Sequence, residues 1–461
     1  MSLAARATGQ PAGLRRVLVA NRGEIALRII RACRELGIET VLVHSEADAE
    51  SLPARLADRA VCIGPARSTQ SYLNAEFIVS AAQIHHADAI HPGYGFLSEN
   101  ADFARLCEME GIVFVGPRGD VISQMGDKVR ARQLAAAAGV PTTPGSSGKL
   151  RDAAEAAELA AGLGFPVLLK AAAGGGGRGM RVVREAGELA DQFADAAREA
   201  KASFGDDAIY VEKYLSNIRH IEIQVLSDGE TVLHLGERDC SIQRRNQKLL
   251  EETPSPVLDA SIRARMCEAA VRLCRHVGYT SAGTIEFILD PQSGEFYFME
   301  MNTRIQVEHP VTEMVSGVDL VKAQLEIAGG QRLSLRQEDI RCHGHAIECR
   351  INAEDSEHDF APCPGEVRRY HAPGGPGIRI DSHLHAGYTV PPYYDSLLAK
   401  VVAWGRDRSE AIARMRRALN EMEIEGIKTT IPFHLALLQH QAFLAGEVHT
   451  RFVEQQLLGA R

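Results

Sequence analysis

Residues 300–308 read EMNTRIQVE. On an extended strand the period of two carries Glu300, Asn302, Arg304, Gln306 and Glu308 to one face, with Met301, Ile305 and Val307 among those on the other. Five polar groups on one face make a site. Their carboxylate and amide oxygens suit Mg²⁺, which takes one or two carboxylates together with nucleotide phosphates. Glu286, in GTIEF on the preceding strand, is a second candidate carboxylate. A solvent-facing strand of alternating charge would read the same way, but it need not accompany phosphate chemistry. That chemistry lies upstream, in the glycine run at 174–177 followed by Arg178 and Gly179, between the strand-like FPVLLKAA and MRVV. Bare backbone lets amide N–H groups approach phosphate oxygens, and the strand-loop-strand setting differs from a Walker loop, which opens a helix. Taken alone, the run could be a surface hairpin. Lys170 ends the apolar strand before it, where an unpaired ammonium is costly, so a phosphate partner is attractive. Lys128, in MGDK, is either a second phosphate cation or a solvated lysine on a helix face.

The elements that must position these residues follow from hydrophobic period. From Arg16 to about residue 116 short β-branched runs (RVLVA, TVLVH, VCIG, DAIH, IVFVG) alternate with helical patterns, the first carrying Ile25, Ile29, Ile30 and Cys33. The spacing predicts a parallel, doubly wound sheet. Its first turn, NRGEIALR, lacks G-x-G-x-x-G, which excludes a Rossmann dehydrogenase. A helix is predicted over 127–138, and VPTTPGSSG reads as a linker into a separate glycine-bearing piece. RHIEIQVLSDG, TVLHLGERDC, GTIEFILD and EFYFMEMN then read as adjacent antiparallel strands with a polar face. A last segment runs from about residue 344 through turn-rich APCPGE and HAPGGPG into helices beyond Ser409. The fold class is thus α/β and α+β: an N-terminal doubly wound parallel sheet, a central region of antiparallel strands with a separate glycine-bearing piece, and a C-terminal α+β domain.

Composition sets outer limits. The 461 residues leave room for about three domains at roughly 150 residues each. With 45% hydrophobic and 24% charged residues the chain reads as an ordinary soluble protein. The net charge of −9 argues against nucleic-acid binding through bulk electrostatics. Nine scattered cysteines without a C-x-x-C pair suggest neither disulfides nor a zinc ribbon, and point to a reducing cytoplasm. Apolar runs fall short of the ~18 residues a membrane span needs. The opening MSLAARATGQPAGLRR lacks an apolar signal core and is read as a tail outside the fold.

GGGGRGM, VEKYL, RDCSIQRRNQK, EMNTRIQVEHPVTE, ECRINAED and PPYYDS occur in the order seen in biotin carboxylases, and from about Val17 to Leu457 the chain resembles that family. Carbamoyl phosphate synthetases share the ATP-grasp core, but the likeness to them weakens at RIQVEH. The resemblance implies an N-terminal domain at 13–126, an ATP-grasp domain at 127–335 with a lid at about 143–215, and a C-terminal domain at 344–455. It makes Lys128, Lys170, Gly176, Gly177, Glu212, Lys213, Leu215 and His220 nucleotide contacts, with the adenine held by residues 212–215. Glu286, Glu300 and Asn302 would bind Mg²⁺ or Mn²⁺. Lys248, Arg304, Gln306, Val307 and Glu308 would surround bicarbonate. Arg350 would meet the biotin ureido group, Asp395 would support it, and Tyr94 would border the biotin pocket. Cys240 is read as a packed thiol.

The implied chemistry is an ATP-dependent ligation. Glu308 deprotonates bicarbonate, which attacks the γ-phosphate to give carboxyphosphate, and biotin on a carrier protein then takes up CO₂. The partners implied are a biotin carboxyl carrier protein and a carboxyltransferase, as in acetyl-CoA carboxylase of fatty acid biosynthesis or a related acyl-CoA or pyruvate carboxylase. A homodimer is also implied, although Pro376 stands where familiar relatives carry an aromatic dimer contact. Asn246 replaces a histidine common in relatives; it can hydrogen-bond but cannot become cationic. No Met-Lys-Met tripeptide occurs, so biotin is expected on another polypeptide. Two alternatives are another ATP-grasp carboxylate ligase, without biotin dependence, and a non-catalytic carrier-binding subunit, which would lack Glu286, Glu300, Asn302, Arg304, Glu308 and Arg350.

Overall fold

The computed structural model describes residues 13–146, 148–171 and 179–459. The N-terminal tail up to residue 12 and the glycine run, with its Gly176, Gly177 and Arg178, lie outside the described residues.

In the first segment β1 (Arg16–Val19), β2 (Glu39–His44), β3 (Arg59–Cys62), β4 (Ala89–His91) and β5 (Val113–Phe114) form a parallel sheet in the order β3-β2-β1-β4-β5. Helix α1 (Gly23–Glu35) buries Ile25, Ile29, Ile30 and Cys33. They pack against Val17, Val19, Leu42 and Ala89 of the sheet, at roughly 1.5–3 kcal/mol for each large apolar side chain. The expected doubly wound sheet is present. Its strand order reverses between β1 and β4, and doubly wound sheets open a crevice at that point beyond the strand ends. Asn21 spans the crevice, its Nδ2 donating to the Pro92 and Tyr94 carbonyls, both at 2.7 Å. Tyr94 is thereby set beside the start of α1.

Helix α2 (Lys128–Ala137) begins at Asp127, whose carboxylate accepts from the Arg130 N–H at 2.9 Å. Next, β6 (Val167–Ala171), β7 (Met180–Val183) and β8 (Ile209–Lys213) form a small antiparallel sheet in the order β7-β6-β8. Its two helices, Ala153–Leu163 and Leu189–Phe204, bury Ala156, Ala160, Ala196 and Ala200 against Val167, Leu169 and Val211. Small side chains allow that close approach. The segment VPTTPGSSG, expected to be a linker, is instead pinned at both ends. Phe298 N–H donates to the Pro141 carbonyl at 2.7 Å, Lys213 N–H to Pro144 at 2.8 Å and Ser146 N–H to Val211 at 2.9 Å. Glycine is required at 145, where a Cβ would stand 2.3 Å from the Val211 carbonyl oxygen.

Eight longer strands follow, besides six short ones, left unnumbered, that form two-stranded pairs in the last segment: β9 (Arg219–Asp228), β10 (Val232–Arg244), β11 (Gln247–Thr253), β12 (Thr280–Asp290), β13 (Glu295–Asn302), β14 (His345–Asn352), β15 (Ile378–Ser382) and β16 (Leu397–Gly405). They make one antiparallel sheet of eight strands, ordered β13-β12-β9-β10-β11-β14-β16-β15. The four strands expected to be adjacent, β13, β12, β9 and β10, are neighbours in that order. The last segment does not begin a sheet of its own: β14 pairs with β11 from Leu250↔Cys349 to Thr253↔Ala346. Helix Ala260–Val277 covers the β9 and β12 end through Met266 and Leu273, and helix Arg408–Glu421 covers the β14 and β16 end through Met415 and Leu419. The opposite, polar face is the floor of the site. No helix among the described residues is long and apolar enough to cross a membrane.

Candidate active site

A cavity of about 940 Å³ lies over the polar face of the large sheet, where all three sequence segments meet. That volume suits a nucleotide-sized ligand with a smaller second molecule. The N-terminal segment contributes Tyr94; Lys128, Lys170, Glu212 and His220 line one end, and Arg350 and Asp395 the other. Between them stand Lys248, Glu286, Glu300 and residues 304 and 306–308, with Asn302. Lys213 and Leu215 do not line the cavity. The Lys213 ammonium points away, donating to the Gly164 carbonyl at 2.8 Å.

Glu308 sits between two cations. Its Oε1 accepts from Lys248 Nζ at 2.7 Å and its Oε2 from Arg350 Nη2 at 2.9 Å. Burial alone would push its carboxyl up, and the Glu222 charge adds to that. Lys248, Arg350 and Arg238 outweigh both and hold Glu308 below the ordinary carboxylate range. Lys248 also donates to Glu222 Oε2 at 2.7 Å and Glu286 Oε1 at 2.9 Å. Burial disfavours that ammonium, but three carboxylates keep it charged, with its pKa well above the ordinary lysine value. Arg350 is braced from behind by Glu251 Oε1, 2.6 Å from its Nε. Burial there pushes Glu251 above the ordinary range despite the guanidinium.

Glu286 and Glu300 face one another across the β12–β13 pairing, with Thr284 opposite Asn302. Asn302 Nδ2 and Gln306 Nε2 both donate to Glu286 Oε1 at 2.8 Å. Burial raises the Glu300 carboxyl, and the neighbouring Glu286 charge raises it further. A buried carboxylate, a half-buried one and an amide oxygen form a donor set for a hard divalent cation, which would relieve that repulsion. His220, Glu222 and Glu286 also bring ligand atoms within 4.8 Å of one another, as do Glu222, Cys240 and Glu308. Lys248 already supplies a positive charge among those carboxylates, so the Glu286–Glu300 pair is the better cation position.

The strand predicted through Glu308 ends at Asn302; residues 303–308 form a bend and turn that lead into helix His309–Ser316. The polar side chains still converge, each held by a distant partner. Arg304 Nε donates to Glu99 Oε2 at 2.8 Å and its Nη2 to Asn302 Oδ1 at 2.9 Å. Gln306 Oε1 accepts from Arg238 Nη2 at 2.6 Å. At the nucleotide end Lys170 and Arg132 both pair with Glu212. His220 Nε2 lies 2.9 Å from Glu286 Oε2; burial opposes its charge, yet Glu286 raises it above the ordinary imidazole value. Asn246 lines the cavity from the turn between β10 and β11, with φ of 63°, and Arg245 beside it has φ of 51°. A two-residue hairpin turn of type I′ needs positive φ at both central positions, a conformation asparagine adopts readily.

Residues 13–122 match the family model "Biotin carboxylase, N-terminal domain", residues 127–336 "Carbamoyl-phosphate synthase L chain, ATP binding domain", and residues 348–455 "Biotin carboxylase C-terminal domain". Biotin carboxylase 1 of Bacillus subtilis is 58% identical over 443 residues, which cover 96% of this chain and 98% of the relative. The chain belongs to the biotin carboxylase family. That membership makes it an ATP-dependent ligase. The biotin carboxylase domain dimer of Hydrogenobacter thermophilus 2-oxoglutarate carboxylase, solved with MgADP, ADP and bicarbonate, superposes with a TM-score of 0.90. It is 52% identical, and the match covers 96% of this chain and 98% of that one. A Campylobacter jejuni biotin carboxylase in complex with a β,γ-ATP ligand gives a TM-score of 0.92 at 49% identity, covering 96% and 99%.

In this biotin carboxylase fold several groups that the residue reading did not select stand inside the cluster. Glu222 is fully buried between Lys248 and Arg238. Burial acts to raise its carboxyl, but the two cations bring it down to about 2. Arg238, equally buried, donates to Glu222, Gln224, Thr284, Gln306 and Thr312. The signal was present in RHIEIQVL, where His220, Glu222 and Gln224 alternate with Ile221, Ile223 and Val225. Cys240 is packed, as expected, but its thiol also reaches Glu222 Oε1 at 3.1 Å.

Proposed function

We propose that this chain carboxylates biotin carried on a separate carrier protein, using ATP and bicarbonate, by way of carboxyphosphate. The observation that carries this reading is Glu308 held ionised between Lys248 and Arg350, beside a carboxylate pair suited to magnesium. Glu308 takes the proton of bicarbonate, whose oxygen then attacks the γ-phosphorus of ATP as the bond to ADP breaks. Lys170, Lys248 and Arg304 offset the charge gathering on the phosphoryl oxygens, with positioning and electrostatics supplying most of the acceleration. Magnesium held by Glu286, Glu300 and Asn302 would neutralise nucleotide phosphate charge. Carboxyphosphate breaks down to CO₂ and phosphate, phosphate takes the biotin N1′ proton, and Arg350 steadies the resulting enolate oxygen. N1′ then attacks CO₂. Gln306 and Val307 complete the bicarbonate pocket, Tyr94 and Asp395 border biotin, and Lys128, His220 and the main chain at Lys213 and Leu215 hold the nucleotide.

The same reading assigns Gly176 and Gly177 to the phosphates and makes residues 143–215 a lid within an ATP-grasp domain at 127–335, flanked by domains at 13–126 and 344–455. Closure would shield carboxyphosphate from water. The partners we propose are a biotin carboxyl carrier protein, a carboxyltransferase and a second copy of the chain, in the cytoplasm. The final acceptor is acetyl-CoA, another acyl-CoA or pyruvate. The test is ADP release in CO₂-depleted buffer: added bicarbonate should start it and free biotin should stimulate it. Equal rates with and without bicarbonate would refute the reading.

A further inference from the structure

We propose that Lys400 is a positioning residue for the reaction, fixing the turn that carries Glu308; the proposal rests on the reading of Glu308 as the base facing bicarbonate. Lys400 lies on β16 directly opposite Arg350 of β14 and Asp381 of β15, so the three side chains share the polar face of the sheet. It is completely buried. Its ammonium donates to the Val307 carbonyl at 2.9 Å, lies 3.1 Å from Glu24 Oε2 and stands 3.9 Å from Asp381 Oδ2. One cation on the last segment therefore grips the first segment at Glu24 and the central one at the residue before Glu308.

Residues 303–308 have left the sheet ladder, and Glu308 stands at the N-terminal cap of helix His309–Ser316, so no strand pairing sets its direction. The Val307 carbonyl is the main-chain group next to it, and a charge-assisted hydrogen bond there restrains the peptide that joins them. The same ammonium stands beside Glu24, whose other oxygen accepts from the Tyr94 hydroxyl. A buried lysine serving only as structural glue would affect every substrate alike. A lysine that aims Glu308 should act on bicarbonate use and leave ATP binding intact, because the nucleotide-end pairing of Glu212 with Lys170 and Arg132 does not involve it.

Lys400→Met alone would strand the buried Glu24 carboxylate, so the test compares the double variant Lys400→Met/Glu24→Gln with Glu24→Gln. Asp381 keeps its two-point pairing with Arg379 in both. Relative to Glu24→Gln, the double variant should raise the bicarbonate KM and lower kcat by about tenfold each, with the ATP KM within about twofold, as expected for a misplaced reacting group. A bicarbonate KM and kcat equal to those of Glu24→Gln would overturn the proposal, as would an equal rise in the KM for ATP. The unsubstituted protein is assayed alongside. If it shows no dependence on bicarbonate, the functional reading itself fails, an outcome separate from failure of the Lys400 role.

Discussion

Lys248 Nζ stands 2.7 Å from Glu308 Oε1 while donating to Glu222 and Glu286 from the same ammonium. A single half-buried cation thus joins the proposed base to the carboxylate that faces the nucleotide end. Charge placed at either end is felt at the other through about 3 Å contacts in a low-dielectric interior.

Glu308→Gln keeps the side-chain shape but removes the basic oxygen. We expect bicarbonate-dependent ATP cleavage and biotin carboxylation to fall together by about 10²-fold or more, with nucleotide binding retained. ADP release, fixation of labelled bicarbonate and nucleotide titration provide the comparison. A variant that still cleaves ATP at the original bicarbonate-dependent rate would exclude Glu308 as the base.

Arg350→Ala should separate the two half-steps. The guanidinium touches one oxygen of Glu308, whose other oxygen keeps Lys248, so ATP cleavage should drop by about tenfold or less. Biotin carboxylation should drop by about 10²-fold or more, because the cation proposed to steady the enolate oxygen is gone. Equal losses in a protein shown to be folded would argue against a biotin role.

Glu252 gives a pH-dependent stability test. Burial acts to raise its carboxyl, but His345 at 2.8 Å and Arg408 at 2.7 Å bring it down to about 2, from an ordinary value of 4.5. A folded-state value below the unfolded one means stabilisation that is complete above pH 4.5 and is lost as pH falls towards 2. A difference of that size corresponds to about 3 kcal/mol for this fully buried group. Urea unfolding should therefore show Glu252→Gln less stable by about that amount at neutral pH, with the gap narrowing progressively below pH 4.5. A gap that does not change with pH would contradict the pairing.

Hydrogen exchange should report lid closure. Peptides spanning β6 to β8 are expected to exchange more slowly once MgATP is added, since ligand contacts suppress local opening. Unchanged exchange at saturating nucleotide would mean that residues 143–215 do not close.

The alternation in GTIEF and EFYFMEMN was enough to place Glu286 and Glu300 on adjacent strands and a common face. Side-chain period two and antiparallel neighbours are local properties, and the observed register sets these two residues opposite each other. The same rule, carried past Asn302, predicted a strand where the chain turns. Period alone cannot detect that the ladder partner has ended: β12 pairs Thr284 with Asn302 and carries no pairing with residues 303–308. The apparent linker VPTTPGSSG was misread for a related reason, because its turn-forming residues are pinned by strands more than sixty positions away.

What the sequence determined by itself was the parallel N-terminal sheet, the antiparallel run of polar-faced strands and the residue types able to meet a nucleotide, a divalent cation and a base. Hydrophobic period and backbone freedom encode these over a few residues. Tertiary structure alone decided which charges neutralise one another: Lys248 among three glutamates, Arg304 on Glu99, and Lys400 between Glu24 and the Val307 carbonyl. Each contact joins positions tens to hundreds of residues apart. A buried charge is tolerable only where folding delivers its partner, and no local pattern records where that partner will arrive.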